Sequence, residues 1–460
     1  MIADLTPYPE YKESGSRWLA IVPLHWEVRN LRTLIRPRNE RNRTDLPLLS
    51  VAREKGVFVR SLTDANENHN VIPEDLSNYK VARTGNLVIN KMKAWQGSMG
   101  IAPSDGIVSP AYFVFDFGIA DRAFGQVLLR SKPYVAHFGQ ASDGVRVGQW
   151  DLTIAGMRQI PVLVPPPTEQ AAIVRFLDWA NGRLERAIRA KRKVTALLNE
   201  QKQAIIHRAV TRGLDLSVPL RPSGIPWLGD IPRHWRIVRN LALFSQRVEQ
   251  GIPGLPVLQV SLRSGITVEE LDQFGRPKRL IADHTKYKLV RKGDLAYNTM
   301  RMWQGAVGVS VKDGLVSPAY IVIKPRPSVN ASFYEFMFRT PIYKQQVNRY
   351  STGIVSDRNR LYWESFKQMP NVLLPMDEQA AICLTIHEET GALNNAVTRL
   401  EREIGLLREY RNRLVADVVT GKLDVREAAA RLPEEAPPDI AGDDSDQCID
   451  PEPADEEAVL

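Results

Sequence analysis

The chain has 460 residues, 43% hydrophobic and 25% charged, which is ordinary for a globular protein of two to four domains. No apolar run approaches the roughly 20 residues that span a bilayer, and the polar, Pro-containing start MIADLTPYPEYKESGS is not a secretory signal. Net charge is +8, but residues 433–460 hold eleven acids and no base, so the first 432 residues carry +19 and suit a polyanionic partner.

Two cysteines, Cys383 and Cys448, give neither a disulfide framework nor a metal cluster. Free thiols in a reducing cytoplasm are expected, with no membrane association.

Taken in order, the chain repeats itself. Residues 11–31 (YKESGSRWLAIVPLHWEVRNL) and 220–241 (LRPSGIPWLGDIPRHWRIVRNL) share Ser-Gly, Trp-Leu, Pro-x-His-Trp and Arg-Asn-Leu. Trp18, Trp26, Trp227 and Trp235 are read as core anchors, and His25 and His234 beside them as structural. LPLLSVARE at 46–54 and LPVLQVSLR at 255–263 alternate as strands do. The strongest repeat follows, 79–115 against 287–323, with about half its positions identical. In it LVIN and LAYN read as strands opened by turns at Gly85 and Gly293, and SPAYFVF and SPAYIVI as further strands. Gly97, Gly100 and Gly106, with their twins Gly305, Gly308 and Gly314, mark turns and close backbone approaches. Short helices, AFGQVLLRS and SFYEFMFRT, lead into polar loops and then an apolar strand ending at Pro.

Each half closes with a long helix, opening TEQAAI and DEQAAI, for which Thr168 and Asp377 are read as N-caps. Apolar residues recur at a 3.5-residue period, which predicts coiled-coil packing. The seam is expected at Ile173, Leu177, Leu184, Leu198 and Ile205 in the first helix. In the second it is Ile382, Ile386, Leu393, Leu400, Leu407 and Leu414, with Val397, Ile404 and Val415 widening the face toward a partner. The organisation expected is α+β: two repeated α/β recognition domains, 1–167 and 216–375, separated by two long antiparallel coiled-coil helices, 168–215 and 376–431. An acidic, Pro-rich tail at 432–460 cannot support a packed core and is expected to be disordered.

Catalytic machinery is not evident. Ser-Pro-Ala-Tyr, at 109–112 and 317–320, approaches the Asp/Asn/Ser-Pro-Pro-aromatic tetrapeptide of adenine methyltransferases, but Ala replaces the second Pro. No strand, Gly-rich turn and helix follow one another to hold a cofactor, no phosphate-binding GxxxxGK[ST] loop occurs, and no His/Cys spacing suggests zinc. An autonomous DNA-modifying enzyme is therefore one alternative reading, and a coiled-coil scaffold that binds no nucleic acid is another.

As a set, the doubled Ser-Gly…Trp-Leu…Pro-x-His-Trp segment, the variable domains and the long helices opening with Glu-Gln-x-x-Ile resemble the specificity subunit of type I restriction–modification systems, over residues 12–424. The resemblance implies a chain with no cofactor of its own, whose two domains read double-stranded DNA at a split target. It implies helices that hold two methyltransferase subunits using S-adenosylmethionine, to which restriction and translocase subunits using ATP and Mg can be added. Polar-loop residues that differ between the copies are then the candidates for reading bases: Arg53, Lys55, Arg146 and Gln149, then Arg263, Arg301, Arg358 and Arg360. Lys91 and Lys93 suit phosphates. Helices of about 44 residues span roughly 66 Å at 1.5 Å per residue, and the two blocks of target sequence are expected about one DNA turn apart, roughly 34–36 Å.

Overall fold

The computed structural model describes residues 5–16, 18–61, 75–144, 150–215, 217–262, 265–268, 286–353 and 359–433. Contacts divide the chain into two compact units, Met1–Arg189 with Gly405–Leu460, and Ala190–Ile404. The fold is mixed α+β, and the two units repeat one topology.

In the first unit, four antiparallel strands lie in the order Ile35–Arg38, Tyr112–Phe117, Leu87–Asn90, Met99–Ile101. In the second, the order is Phe244–Arg247, Tyr320–Pro325, Leu295–Asn298, Val307–Val309. Register is preserved too, with Phe115 opposite Leu87 and Ile323 opposite Leu295. Each sheet is joined by a hairpin (Leu49–Ala52 with Gly56–Val59; Leu258–Ser261 with Gly265–Val268) and by a second pair (Lys80–Ala82 with Gly106–Val108; Lys288–Val290 with Gly314–Val316). The expected turns at Gly85 and Gly293 are present, with φ of +84° and +89°, a region that glycine enters without steric cost. Ser-Pro-Ala-Tyr is a turn that delivers the chain into the Tyr112–Phe117 and Tyr320–Pro325 strands.

Gly308 shows why the copies share their glycines. A Cβ there would lie 2.6 Å from the Ile266 nitrogen and 2.7 Å from the Gly265 Cα, backbone atoms that cannot turn aside. Gly100 meets the Val57 nitrogen at 3.0 Å in the same way. Gly308→Ala is expected to cost about 3 kcal/mol, at the upper end of overpacking effects, read as a lower urea midpoint with an unchanged slope.

The long helices run Pro167–Arg212 and Met376–Val419. Thr168 and Asp377 are not the caps. The first helical residue is Pro167, whose fixed φ suits that position, and the Pro166 and Pro375 carbonyls accept from Gln170 and Gln379. The second helix stops at Val419, short of 431, at a turn through Gly421 (φ +77°); Arg426–Ala430 is a separate short helix.

The seam also departs from strict heptads. Buried and half-buried positions run Ile173, Leu177, Ala180, Leu184, Ile188, Lys191, Thr195, Leu198, Lys202, Ile206. That is 33 residues in nine steps, near the helix's own 3.6-residue turn, so no strong left-handed supercoil is imposed. Ile205 is therefore half-buried beside the buried Ile206. In the second helix Ile382, Ile386 and Leu414 are buried, and Leu393, Leu400 and Leu407 are half-buried. Ile404 is only 8% exposed and belongs to the packed side, not to an outward face; Val397 and Val415 are half-buried.

Within the second unit the helices are tied by Lys191 Nζ to Glu403 at 2.6 Å and Lys202 Nζ to Asn394 at 2.6 Å. Within the first they are tied by Arg411 to Glu185 at 3.0 Å. These pairs fix an antiparallel arrangement, since rising numbers on one helix meet falling numbers on the other. The core of the first unit packs Trp26, Phe124, Tyr134, Ile173 and Leu177 with Val418 and Val425 from late in the chain. The second packs Trp235, Phe333, Tyr334 and Ile382 with Ile206 and Val210.

Candidate nucleic-acid interface

One repeated clasp joins each sheet domain to the start of its helix. Glu169, 4% exposed, accepts hydrogen bonds from Tyr8 Oη at 2.5 Å and Trp26 Nε1 at 2.9 Å, and His25 Nε2 lies 2.7 Å away. Glu378 does the same with Trp235 Nε1 at 3.0 Å and His234 Nε2 at 2.8 Å. The neighbouring glutamines complete it. Gln170 accepts from the Asp121 N–H and donates to the Pro165 carbonyl; Gln379 accepts from Asn330 and donates to Ser328 and Leu374. Asp121 and Asn330 in turn cap the helices Arg122–Arg130 and Ala331–Phe338, so one dipeptide fixes strand, helix and long helix together. Burial, followed by the Glu169 hydrogen bond, pushes the Tyr8 phenol far above its ordinary value, so it remains a donor at alkaline pH.

The cationic residues sit on the loops this frame carries. Arg53 and Lys55 are exposed in the hairpin turn, with Lys55 Nζ 5.2 Å from the centroid of the Phe58 ring. Arg130 braces that turn by donating to the Arg53 and Glu54 carbonyls. Lys93 and Arg301 occupy matching exposed places, each just before a short 3-10 turn (Ala94–Gln96, Met302–Gln304). The Lys91 ammonium lies 2.9 Å from Asp151 in a partly exposed ion pair. Arg360 is exposed. Arg146, Gln149, Arg263 and Arg358 lie outside the described residues.

Trp95 and Trp303, shared by the two copies, donate to the Met92 and Met300 carbonyls at 3.1 and 2.9 Å. Lys80 and Lys288 likewise donate to the Tyr112 and Tyr320 carbonyls, and burial holds both ammonium groups below the usual lysine range.

A cleft of about 450 Å³ opens in the second unit beside Thr299, Met300, Arg360 and Tyr362. Sequence reasoning found only Arg360 of these, because the others become neighbours through the sheet. Among the described residues no group of three His, Cys, Asp or Glu could hold a metal ion, and no helix is long and apolar enough to cross a membrane.

No protein-family model matches the sequence, and no curated protein matches it. Solved structures do match. A chain from a structure of the type I R-M system, described for its complex assembly and conformational transition, aligns over 87% of this chain and 99% of its own, with 15% identity and a TM-score of 0.57. The HsdS subunit from Thermoanaerobacter tengcongensis aligns over 87% of this chain and 98% of its own, with 17% identity and a TM-score of 0.41. The type I restriction-modification S subunit from M. genitalium aligns over 89% and 97%, with 10% identity and a TM-score of 0.31. Over most of its length, then, the chain has the fold of a type I R-M system chain, with two repeated β-rich domains and two long packed helices.

Proposed function

We propose that the chain is the sequence-specific DNA-binding subunit of a type I restriction–modification complex. It reads a bipartite target through its two recognition domains and holds two methyltransferase subunits on its long helices. Restriction and translocase subunits using ATP and Mg can be added to the same assembly. S-adenosylmethionine belongs to the methyltransferases; this chain orients them and performs no chemistry itself.

The observation that carries the reading is a likeness of fold spanning nearly the whole of both chains. The +19 charge of the first 432 residues and the repeated domains support it. Two similar domains with different loops suit a target of two unlike blocks, with phosphate contacts setting register and base contacts setting sequence.

The full chain alone, given labelled S-adenosylmethionine and duplex DNA, is expected to transfer no methyl group. Co-expressed with a type I methyltransferase partner, it is expected to direct methylation to two short blocks separated by unread base pairs, as read by methylome sequencing. Binding to that site is expected to weaken by on the order of 10³-fold or more between 50 and 200 mM salt if six or more phosphates are contacted. Methyl transfer by the isolated chain, or DNA binding indifferent to salt, overturns the proposal.

A further inference from the structure

The two repeats differ most informatively at one matched junction. In the first unit the Leu152 N–H donates to the Lys91 carbonyl; in the second the Leu361 N–H donates to the Thr299 carbonyl, both at 2.9 Å. The backbones are equivalent there, so Lys91 corresponds to Thr299 and Asp151 to Arg360. In the first unit the two side chains form an ion pair and neutralise one another. In the second, threonine is too short to cross, and Arg360 has no carboxylate partner among the described residues.

The consequence is the cleft. Its floor includes Ile321, its rim the exposed Met300 and Tyr362, and its polar edge Gln246, Thr299 and Arg360. The other charged groups at the cleft are engaged: Lys288 donates to the Tyr320 carbonyl, and Glu364 is paired with Lys367. The Thr299 hydroxyl is likewise spent on the Ala319 carbonyl, at 3.0 Å. That leaves a guanidinium and the Gln246 carboxamide beside an apolar surface. Gln246 also has no counterpart, because Pro37 holds its place in the first sheet.

We propose that this cleft is where the second unit reads base edges in the major groove, with Arg360 the specificity-determining residue for a guanine. A guanidinium fork matches guanine O6 and N7, and the exposed Met300 and Tyr362 offer apolar contact to a neighbouring thymine methyl or sugar. The first unit, closed by Lys91–Asp151, cannot make this contact at the matching place, so the two half-sites differ there. The inference rests on the DNA-reading function proposed above.

The test is competition binding by the full chain assembled with its methyltransferase partner, against a set of duplexes substituted singly at every base pair of both half-sites. For Arg360→Gln, the penalty for replacing one G·C pair in one half-site is expected to fall by roughly ten- to hundredfold, with the other half-site unchanged. Arg360→Lys, which keeps the charge but loses the two-pronged donor, gives the same readout with near-native affinity should the Gln variant not fold. A profile identical to wild type, or an equal loss at every position, overturns the inference, since the latter marks a phosphate contact. A wild-type assembly with no sequence preference overturns the DNA-reading function itself, and the inference with it.

Discussion

Glu169→Ala is expected to destabilise the first unit by about 3–5 kcal/mol, the range for breaking a buried, hydrogen-bonded charge cluster. The carboxylate is 4% exposed and serves three groups at once: the Tyr8 hydroxyl, the Trp26 indole and the His25 ring. Removing it leaves the Tyr8 and Trp26 donors buried with no partner, and each such group costs about 1–3 kcal/mol. It also cuts the link between the strand Glu27–Asn30 and the helix that begins at Pro167. Glu378→Ala should cost less. Glu378 is 25% exposed, and Ser217, at the repeat position of Tyr8, hydrogen-bonds Asp215 instead. Hydrogen exchange checks both: amides of Glu27–Asn30 and of residues 162–164 should exchange on the order of 10²–10³-fold faster in Glu169→Ala. Equal effects in the two variants would show that Tyr8 adds nothing to the clasp.

The sequence made the repeated frame legible because sterics leave little choice there. Gly308 and Gly100 sit where a Cβ would strike backbone, and Trp26 and Trp235 are fully buried, so both copies retain them. The clasp itself was half visible. Pro-x-His-Trp and Glu-Gln each stood out as shared motifs, but they are 144 residues apart in both copies, and that equal separation was the unused signal that they meet. The seam was misplaced for a different reason. A strict heptad drifts about 20° per repeat against a straight helix, so by the last turns of the first helix it names Ile205 in place of the buried Ile206. Of the cleft only Arg360 was legible, as a polar-loop arginine that differs between the copies; its meeting with Thr299 depends on the bond from the Leu361 amide, which no spacing in the sequence signals.

The corrected seam changes where the methyltransferases are expected to bind. Ile404 points into the packed side, so replacing it would damage the helix pair and reveal nothing about a partner. Leu197 and Leu406 are different. They occupy the same repeat position, as Ile173 and Ile382 do, and they are 55% and 56% exposed. A large apolar side chain left open twice, at matched places, suits two identical partners, one for each copy. Burying such a leucine contributes about 2 kcal/mol, and an aspartate in its place adds the desolvation of a charge. Leu197→Asp and Leu406→Asp are each expected to weaken one methyltransferase site by on the order of a hundredfold or more, since 1.4 kcal/mol is a factor of ten. Native mass spectrometry then reads stoichiometry directly. The wild-type chain should carry two methyltransferases, either single variant one, and the double variant none, while the unfolding temperature of the free chain stays the same because neither side chain is packed. Two methyltransferases retained on the double variant would place the partner surface elsewhere on the chain.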